Sequence, residues 1–246
     1  MERRRFVKKL VTLLAPGGVL GSIVLGRRAR AEQPPAAEHY YGMGIQIDKC
    51  IGCGRCVEAC KDENDVPREP FFFRTWVERY EIRRDGEVNV TNIDPALDQQ
   101  MEWEGDKRTI RSFFVPKLCN QCDNPPCVQV CPVGATFMTK EGVILVDDQR
   151  CIGCRYCIQA CPYGARYMHP VTETADKCTF CYHRINKGLL PACVEVCPSQ
   201  ARIFGDTRRK ASPLTRFKRM NKLHVLKPFL NTEPKVLYAD LDGEVR

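Results

Sequence analysis

Short alternations of apolar and polar residues recur along this chain, and a cluster of cysteines follows each one. Ile45-Gln46-Ile47-Asp48-Lys49 reads as a half-buried strand with an acidic turn, leading into Cys50-Ile51-Gly52-Cys53. Ile144-Leu145-Val146-Asp147-Asp148-Gln149-Arg150 repeats the design ahead of Cys151-Ile152-Gly153-Cys154. A second repeat pairs Pro126-Cys127-Val128-Gln129-Val130-Cys131-Pro132 with Ala192-Cys193-Val194-Glu195-Val196-Cys197-Pro198. Val57-Glu58-Ala59 and Ile158-Gln159-Ala160, between third and fourth cysteines, open short helices. After each Cys-Pro a small-residue turn leads into a β-like stretch: Gly134 to Phe137, Gly164 to Tyr167 and Ala201 to Phe204. The pattern predicts a β-α-β unit used twice.

Between the repeats, 61–118 holds no cysteine. Phe71 to Ile82 and Glu87 to Ile93 read as strands joined at Asp85-Gly86, a hairpin turn. Trp76, Tyr80 and Trp103 belong to this insertion; the plain reading is packing over the cysteine-rich lobes, the alternative a partner contact. The segment 206–246 is also free of cysteine. Within it Arg208 to Lys222 is basic without an acid, which suits a solvated surface or a docking face. Val236-Leu237-Tyr238 suggests a last extended strand.

The start of the chain changes how its charge is read. Arg3-Arg4-x-Phe6-Val7-Lys8 resembles a twin-arginine export signal, followed by an apolar stretch from Leu10 to Leu25 and an Ala29-Arg30-Ala31 cleavage site. The segment 1–31 is therefore expected to be a signal peptide, with Glu32 the mature start and retention as an anchor the alternative. The apolar stretch is 16 residues long and broken by Pro16-Gly17-Gly18, short of the ~20 that a spanning helix needs. Eight basic residues against Glu2 account for most of the formal charge of +8. The remainder is near +1. Nucleic-acid binding then has no electrostatic basis.

The sixteen cysteines fall into four sets of four: Cys50, Cys53, Cys56, Cys60; Cys119, Cys122, Cys127, Cys131; Cys151, Cys154, Cys157, Cys161; and Cys178, Cys181, Cys193, Cys197. The first and third sets read C-x2-C-x2-C-x3-C, the bacterial ferredoxin run, in which three thiolates wrap one [4Fe–4S] cube and the fourth serves its neighbour. Four thiolates per cube, soft donors at tetrahedral corners, accommodate four clusters with none left over. Zinc ribbons use paired C-x2-C motifs but not three-cysteine runs closed by Cys-Pro. A disulfide framework suits shorter secreted chains, and two-residue spacing strains its geometry. The spacing leaves open which runs pair.

With these motifs the chain resembles the four-cluster iron–sulfur (beta) subunits of dimethyl sulfoxide reductase-type complexes, over roughly 40–240. The residues carrying the likeness are Cys50 to Asn64, Cys119-Asn120-Gln121-Cys122-Asp123-Asn124-Pro125-Pro126-Cys127, Ala175 to Cys181, Leu190 to Cys193, and Val225 to Tyr238. Within the family it is most similar to tetrathionate and polysulfide reductase beta subunits and to the periplasmic iron–sulfur protein of the Dsr membrane complex. The resemblance implies an α+β fold of duplicated bacterial-type (2×[4Fe–4S]) ferredoxin modules with a β-rich insertion and a cysteine-free C-terminal extension. Its divisions would be 40–60 plus 170–205 (module A), 61–118 (insertion), 119–169 (module B) and 206–246 (extension). It further implies four ligand sets: Cys50, Cys53, Cys56, Cys197 (cluster 1); Cys60, Cys178, Cys181, Cys193 (cluster 2); Cys119, Cys122, Cys127, Cys161 (cluster 3); and Cys131, Cys151, Cys154, Cys157 (cluster 4).

The function expected is that of a non-catalytic electron-transfer subunit. It would relay single electrons between a multi-span, quinone-reactive membrane subunit and a periplasmic catalytic molybdopterin subunit, after export by the twin-arginine machinery. Held at the membrane by its partners, it would lie on the periplasmic face. The alternatives are the wire of a molybdenum-free quinone-linked complex of the Dsr kind, with a cytochrome as partner, and a free periplasmic ferredoxin. His39, His169, His183 and His224 are scattered without a paired acid or nucleophile, so no catalytic residue is expected. Arg55, Lys117, Arg155 and Lys177 flank cysteines; the plain reading is surface charge, the sharper one tuning of cluster potential.

Overall fold

The structure, a computed structural model, describes residues 38–68, 72–93 and 108–245. The expected signal peptide 1–31, Phe71 and Trp103 lie outside the described residues.

Two sheets organise the core. In the first, β1 (Tyr41–Gln46) lies between β9 (Arg202–Asp206), antiparallel to it, and β11 (Val236–Ala239), parallel to it; β10 (Leu223–His224) extends the far edge. Met43 faces both Phe204 and Val236 in register, so segments nearly 200 residues apart share one ladder. In the second sheet β2 (Thr75–Arg83) is flanked by β3 (Val88–Asn92) and β4 (Thr109–Leu118), all antiparallel. The β2–β3 turn falls at Asp85-Gly86, closed by the Gly86 N–H on the Arg83 carbonyl. Val77 and Tyr80 of β2 and Val115 and Leu118 of β4 join Met43, Ile45, Phe180, Phe204, Val236 and Tyr238 in one buried cluster, so both sheets share a core. Tyr238 fastens them further, its hydroxyl donating to the Pro116 carbonyl at 3.2 Å.

β2 starts four residues later than the sequence pattern suggests. Phe72 and Phe73 leave the sheet, Phe72 to stack on Tyr167 and Phe73 to lie 4.3 Å beneath the Lys61 ammonium. The sequence pattern does not predict β4, because Pro116 argues against a strand interior. It is tolerated here because β4 is an edge strand, where a missing N–H breaks no ladder.

The cysteine-rich remainder consists of small pieces. Helix α1 (Arg55–Glu63) spans nine residues; α2 (Pro126–Gln129), α3 (Tyr156–Gln159), α4 (Tyr182–Ile185) and α5 (Ala192–Glu195) are single turns of four. α1 packs on α5 and α2 on α3. Two hairpins, β5 (Thr136–Met138) with β6 (Ile144–Val146) and β7 (Arg166–Met168) with β8 (Ala175–Lys177), complete this region. The β7–β8 hairpin runs across the 169/170 boundary expected between the modules.

The basic stretch after Arg208 holds a helix, α6 (Pro213–Met220), opened by Pro213 behind Ser212. Leu214 and Phe217, three residues apart, are buried against β1 and β9, while Arg216, Lys218 and Arg219 remain exposed. Phe217 lies where Gly44 of β1 leaves room; a Cβ on Gly44 would fall 2.5 Å from its ring. Gly44→Ala should therefore overpack this seam and cost ~1–3 kcal/mol, seen as a lower melting temperature of the holoprotein. An unchanged melting temperature would mean that α6 does not dock there.

Candidate iron–sulfur cluster sites

The cysteine loops get their shape from backbone that ordinary residues adopt rarely. Gly52 and Gly54 turn the first loop at φ of 69° and 67°, and Gly54 leads into α1. Gly52 is doubly constrained, since a Cβ there would meet the Phe114 ring at 2.5 Å. In the third run Gly153 and Arg155 take the same left-handed conformation, and in the fourth Phe180 and Cys181 do.

Cys50, Cys53, Cys56 and Cys197 line one cavity together with Ile51, Val77, Pro116 and Arg202. The β1–β9 ladder makes this possible: the Gln46 N–H on the Ala201 carbonyl brings the end of the fourth run against the first. Cys119, Cys122, Cys127 and Cys161 line a second cavity with Asn120, Ile144, Tyr163 and Arg166. Cys60 on α1 is buried beside Cys178, Cys193 and Cys181, and the Asn64 amide donates to the sulfurs of Cys60 and Cys181 at 3.6 Å each. Backbone donors surround the remaining set. The Thr136 N–H reaches Cys131 Sγ and the Ala175 N–H reaches Cys151 Sγ, both at 3.5 Å. Cys154 is exposed and Cys157 packs with Cys127, Ile144 and Ala175.

Where burial dominates it favours the protonated thiol in the absence of metal, as at Cys50, Cys60, Cys122 and Cys178. Burial pushes the Cys50 thiol up to about 11, against the lowering hydrogen bond from Gly52, with Cys56 and Cys197 adding like charge. Burial and the neighbouring Cys119 push Cys122 up to about 12. Cys131 moves the other way: burial raises it, but four backbone N–H groups from Val133 to Thr136 outweigh that and lower it. Four thiols gathered around one cavity lose their protons together when a multivalent cation binds them, and iron supplies that charge. Two further observations fit a cluster. Arg202 Nη1 is buried without a partner, as are both polar atoms of the Asn120 side chain, and these residues line the first and second cavities respectively. Sulfide corners would accept the hydrogen bonds of their N–H groups.

Of the four flanking cations, Arg55 and Arg155 are exposed, which leaves them as surface charge. Lys117 is buried and pairs with Glu78 at 2.5 Å. Lys177 is wholly buried; its ammonium donates to the Ile144 carbonyl and, at 2.9 Å, to that of Cys178. Gln121 bridges the same two residues, donating to the Cys178 carbonyl and accepting the Ile144 N–H, both at 2.7 Å. Sequence reasoning missed Arg166, Arg202, Asn64 and Gln121. A signal existed for the arginines: each is the fifth residue after a cysteine, in Cys161-Pro-Tyr-Gly-Ala-Arg166 and Cys197-Pro-Ser-Gln-Ala-Arg202. The histidines hold the fold: His39 meets Asp206 at 2.9 Å and His183 meets Glu63 at 2.7 Å.

Comparison with known proteins agrees with this chemistry. Models described as 4Fe-4S dicluster domain match residues 49–135 and 110–207. The B subunit of tetrathionate reductase from Salmonella typhimurium is 45% identical over 250 residues, covering 98% of this chain and 89% of that protein. The chain belongs to the iron–sulfur (beta) subunits of the dimethyl sulfoxide reductase-type family. An iron–sulfur B-type protein assigned to dimethyl sulfoxide reductase in Halobacterium salinarum is 36% identical, covering 83% of this chain and 80% of its own. Protein NrfC of Escherichia coli is also 36% identical, at 96% and 93%. As a beta subunit of this family the chain binds [4Fe–4S] clusters and transfers electrons within a reductase complex. Two dicluster ferredoxin domains and a mixed helix and strand content, both expected, are found.

Proposed function

We propose that this beta subunit connects a quinone-reactive membrane subunit to a catalytic molybdopterin subunit through four clusters held as the resemblance implies. Cluster 1 takes Cys50, Cys53, Cys56 and Cys197; cluster 2 takes Cys60, Cys178, Cys181 and Cys193. Cluster 3 takes Cys119, Cys122, Cys127 and Cys161; cluster 4 takes Cys131, Cys151, Cys154 and Cys157. When bound, each cluster accepts and releases one electron at a time. The protein's work is to fix the sites, shield them from water and set their potentials through charge and N–H donors. In module terms, 40–60 with 170–205 and 119–169 are the two ferredoxin lobes, and β8 joins them. The insertion 61–118 covers them, and the extension 206–246 supplies β11 and the basic α6 as a docking face.

The observation that carries this reading is the exposure of the cysteines. Cys53 and Cys154, one from each ferredoxin-type run, are exposed, whereas the ligands of clusters 2 and 3 are buried or half-buried. Two accessible end sites and two shielded middle ones suit a conduit with one port for each partner. Exposed apolar residues stand at both ports: Ile51 at the first, Ile152 and Tyr156 at the other. The opening Arg3-Arg4-x-Phe6-Val7-Lys8 supports export and a periplasmic place. The likeness to the Salmonella tetrathionate reductase protein supports tetrathionate as the terminal substrate of the complex.

The test is metal analysis of the native complex, extracted gently and anaerobically. About sixteen irons per chain, with molybdenum or tungsten in a partner and reduction of tetrathionate by a quinol, is the expected result. The same iron with haem and no molybdenum would overturn it in favour of the quinone-linked alternative. A partner-free soluble protein would favour the free ferredoxin.

A further inference from the structure

Three buried cations lie where the proposed sites meet. Arg202, on β9, donates from Nη2 to Cys56 Sγ at 3.4 Å and to Thr75 Oγ1 at 2.8 Å, and it feels the charge of Cys193. Cys56 belongs to site 1 and Cys193 to site 2. Arg166, on β7, donates from Nη2 to Cys127 Sγ at 3.1 Å and from Nη1 to Thr136 Oγ1 at 3.4 Å, and it feels the charge of Cys119 and Cys157. Cys127 and Cys119 belong to site 3 and Cys157 to site 4. Lys177, on β8, is bonded to the Cys178 carbonyl and feels the charge of Cys119, Cys178 and Cys127, hence of sites 2 and 3.

None of the three pairs with a carboxylate among the described residues. A buried cation without an anion carries one of the largest penalties a fold can bear. Both guanidiniums stay charged at any working pH, so their counter-charge has to come from the sites themselves. The arginine arrangement is built twice, each arginine anchored on a threonine hydroxyl, Thr75 or Thr136. Clusters in neighbouring sites would both be anionic, and an electron added to one would raise the cost of adding one to the next. A cation between them offsets that repulsion for both.

We propose that Arg202, Lys177 and Arg166 are counter-charges, one at each of the three junctions between successive cluster sites, and that each raises the reduction potentials of the two clusters beside it. The inference rests on the ligand sets given under the proposed function.

The experiment is a redox titration of the holoprotein followed by electron paramagnetic resonance, with iron counted in every variant. Cys53→Ser and Cys181→Ser identify the signals of sites 1 and 2, and Cys122→Ser and Cys154→Ser those of sites 3 and 4. Arg202→Gln should shift the reduction equilibria of clusters 1 and 2 at least tenfold toward the oxidised form, about 59 mV for a one-electron couple. Lys177→Met should do so for clusters 2 and 3, and Arg166→Gln for clusters 3 and 4. The other two clusters should stay in place each time. Arg202→Lys and Arg166→Lys, which keep the charge, should recover most of the shift. They also decide the matter if a neutral variant loses iron: a fully loaded lysine variant with potentials near wild type supports the proposal, and one with the tenfold shift overturns it. Full iron with unmoved potentials, or an equal shift of all four clusters, overturns it too. Wild-type protein with fewer than four clusters, or unlike signals lost in Cys53→Ser and Cys197→Ser, would instead defeat the ligand sets.

Discussion

Stripped of iron under anaerobic, reducing conditions, the chain should unfold and not merely bleach. The reason is where the thiols sit. Cys56, Cys119, Cys178 and Cys193 belong to the main buried cluster, and Cys127 and Cys157 are two of the four buried residues of the second. Four of the helices are single turns, far below the ~12–15 residues at which a helix holds by itself. β5–β6 and β7–β8 are isolated hairpins of three-residue strands, marginal in water. Removing the metal leaves cavities lined by thiols and strands the charges of Arg166, Lys177 and Arg202. The combined loss should exceed the ~5–15 kcal/mol by which domains are ordinarily stable. Far-ultraviolet circular dichroism and protease resistance, followed as iron is removed, check this. Native spectra and native resistance at zero iron would show that the apoprotein core suffices.

Cys197→Ser should remove or degrade the cluster held by Cys50, Cys53 and Cys56, although well over a hundred residues separate it from them. Iron should fall from about sixteen to about twelve per chain, and the lost signal should be the one that Cys53→Ser also abolishes. Cys60→Ser should instead affect the site of Cys178, Cys181 and Cys193. The basis is geometric: Cys197 lines the cavity of the first run, held there by the β1–β9 ladder, and Cys60 leaves its own run on α1 to lie among the fourth. Loss of the Cys181-dependent signal in Cys197→Ser would refute the exchange.

Much of this was legible in the sequence because the cysteine runs impose local geometry. The alternation before Cys50 forms the end of β1 and then a 3-10 turn over Ile47–Lys49, that before Cys151 becomes β6, and each stretch after a Cys-Pro becomes a strand. The exchange of ligands between runs was not legible from spacing, since it depends on strand pairings across the whole chain. β4 was hidden by Pro116, whose tolerance depends on an edge position that only the sheet defines. α6 was hidden by its basic residues, which mask the Leu214–Phe217 stripe. The cations were hardest to foresee. Arg166 and Arg202 stand in short strands with no carboxylate to announce burial, and their balancing charge is inorganic.

The ladder through β1 also imposes a timetable. β1 and the loop from Cys50 to Cys56 leave the ribosome early, whereas β9 and β11, its two neighbours, come roughly 150 residues later or more. At about 5–20 residues per second the loop waits roughly seven to thirty seconds before a neighbouring strand exists. Through that interval the nascent chain offers open thiols and an unpaired strand to whatever is nearby. Maturation of the first site thus waits until synthesis is nearly complete, and a chain truncated before β9 has no means of closing it. Completion of that sheet is therefore a natural checkpoint between synthesis and use.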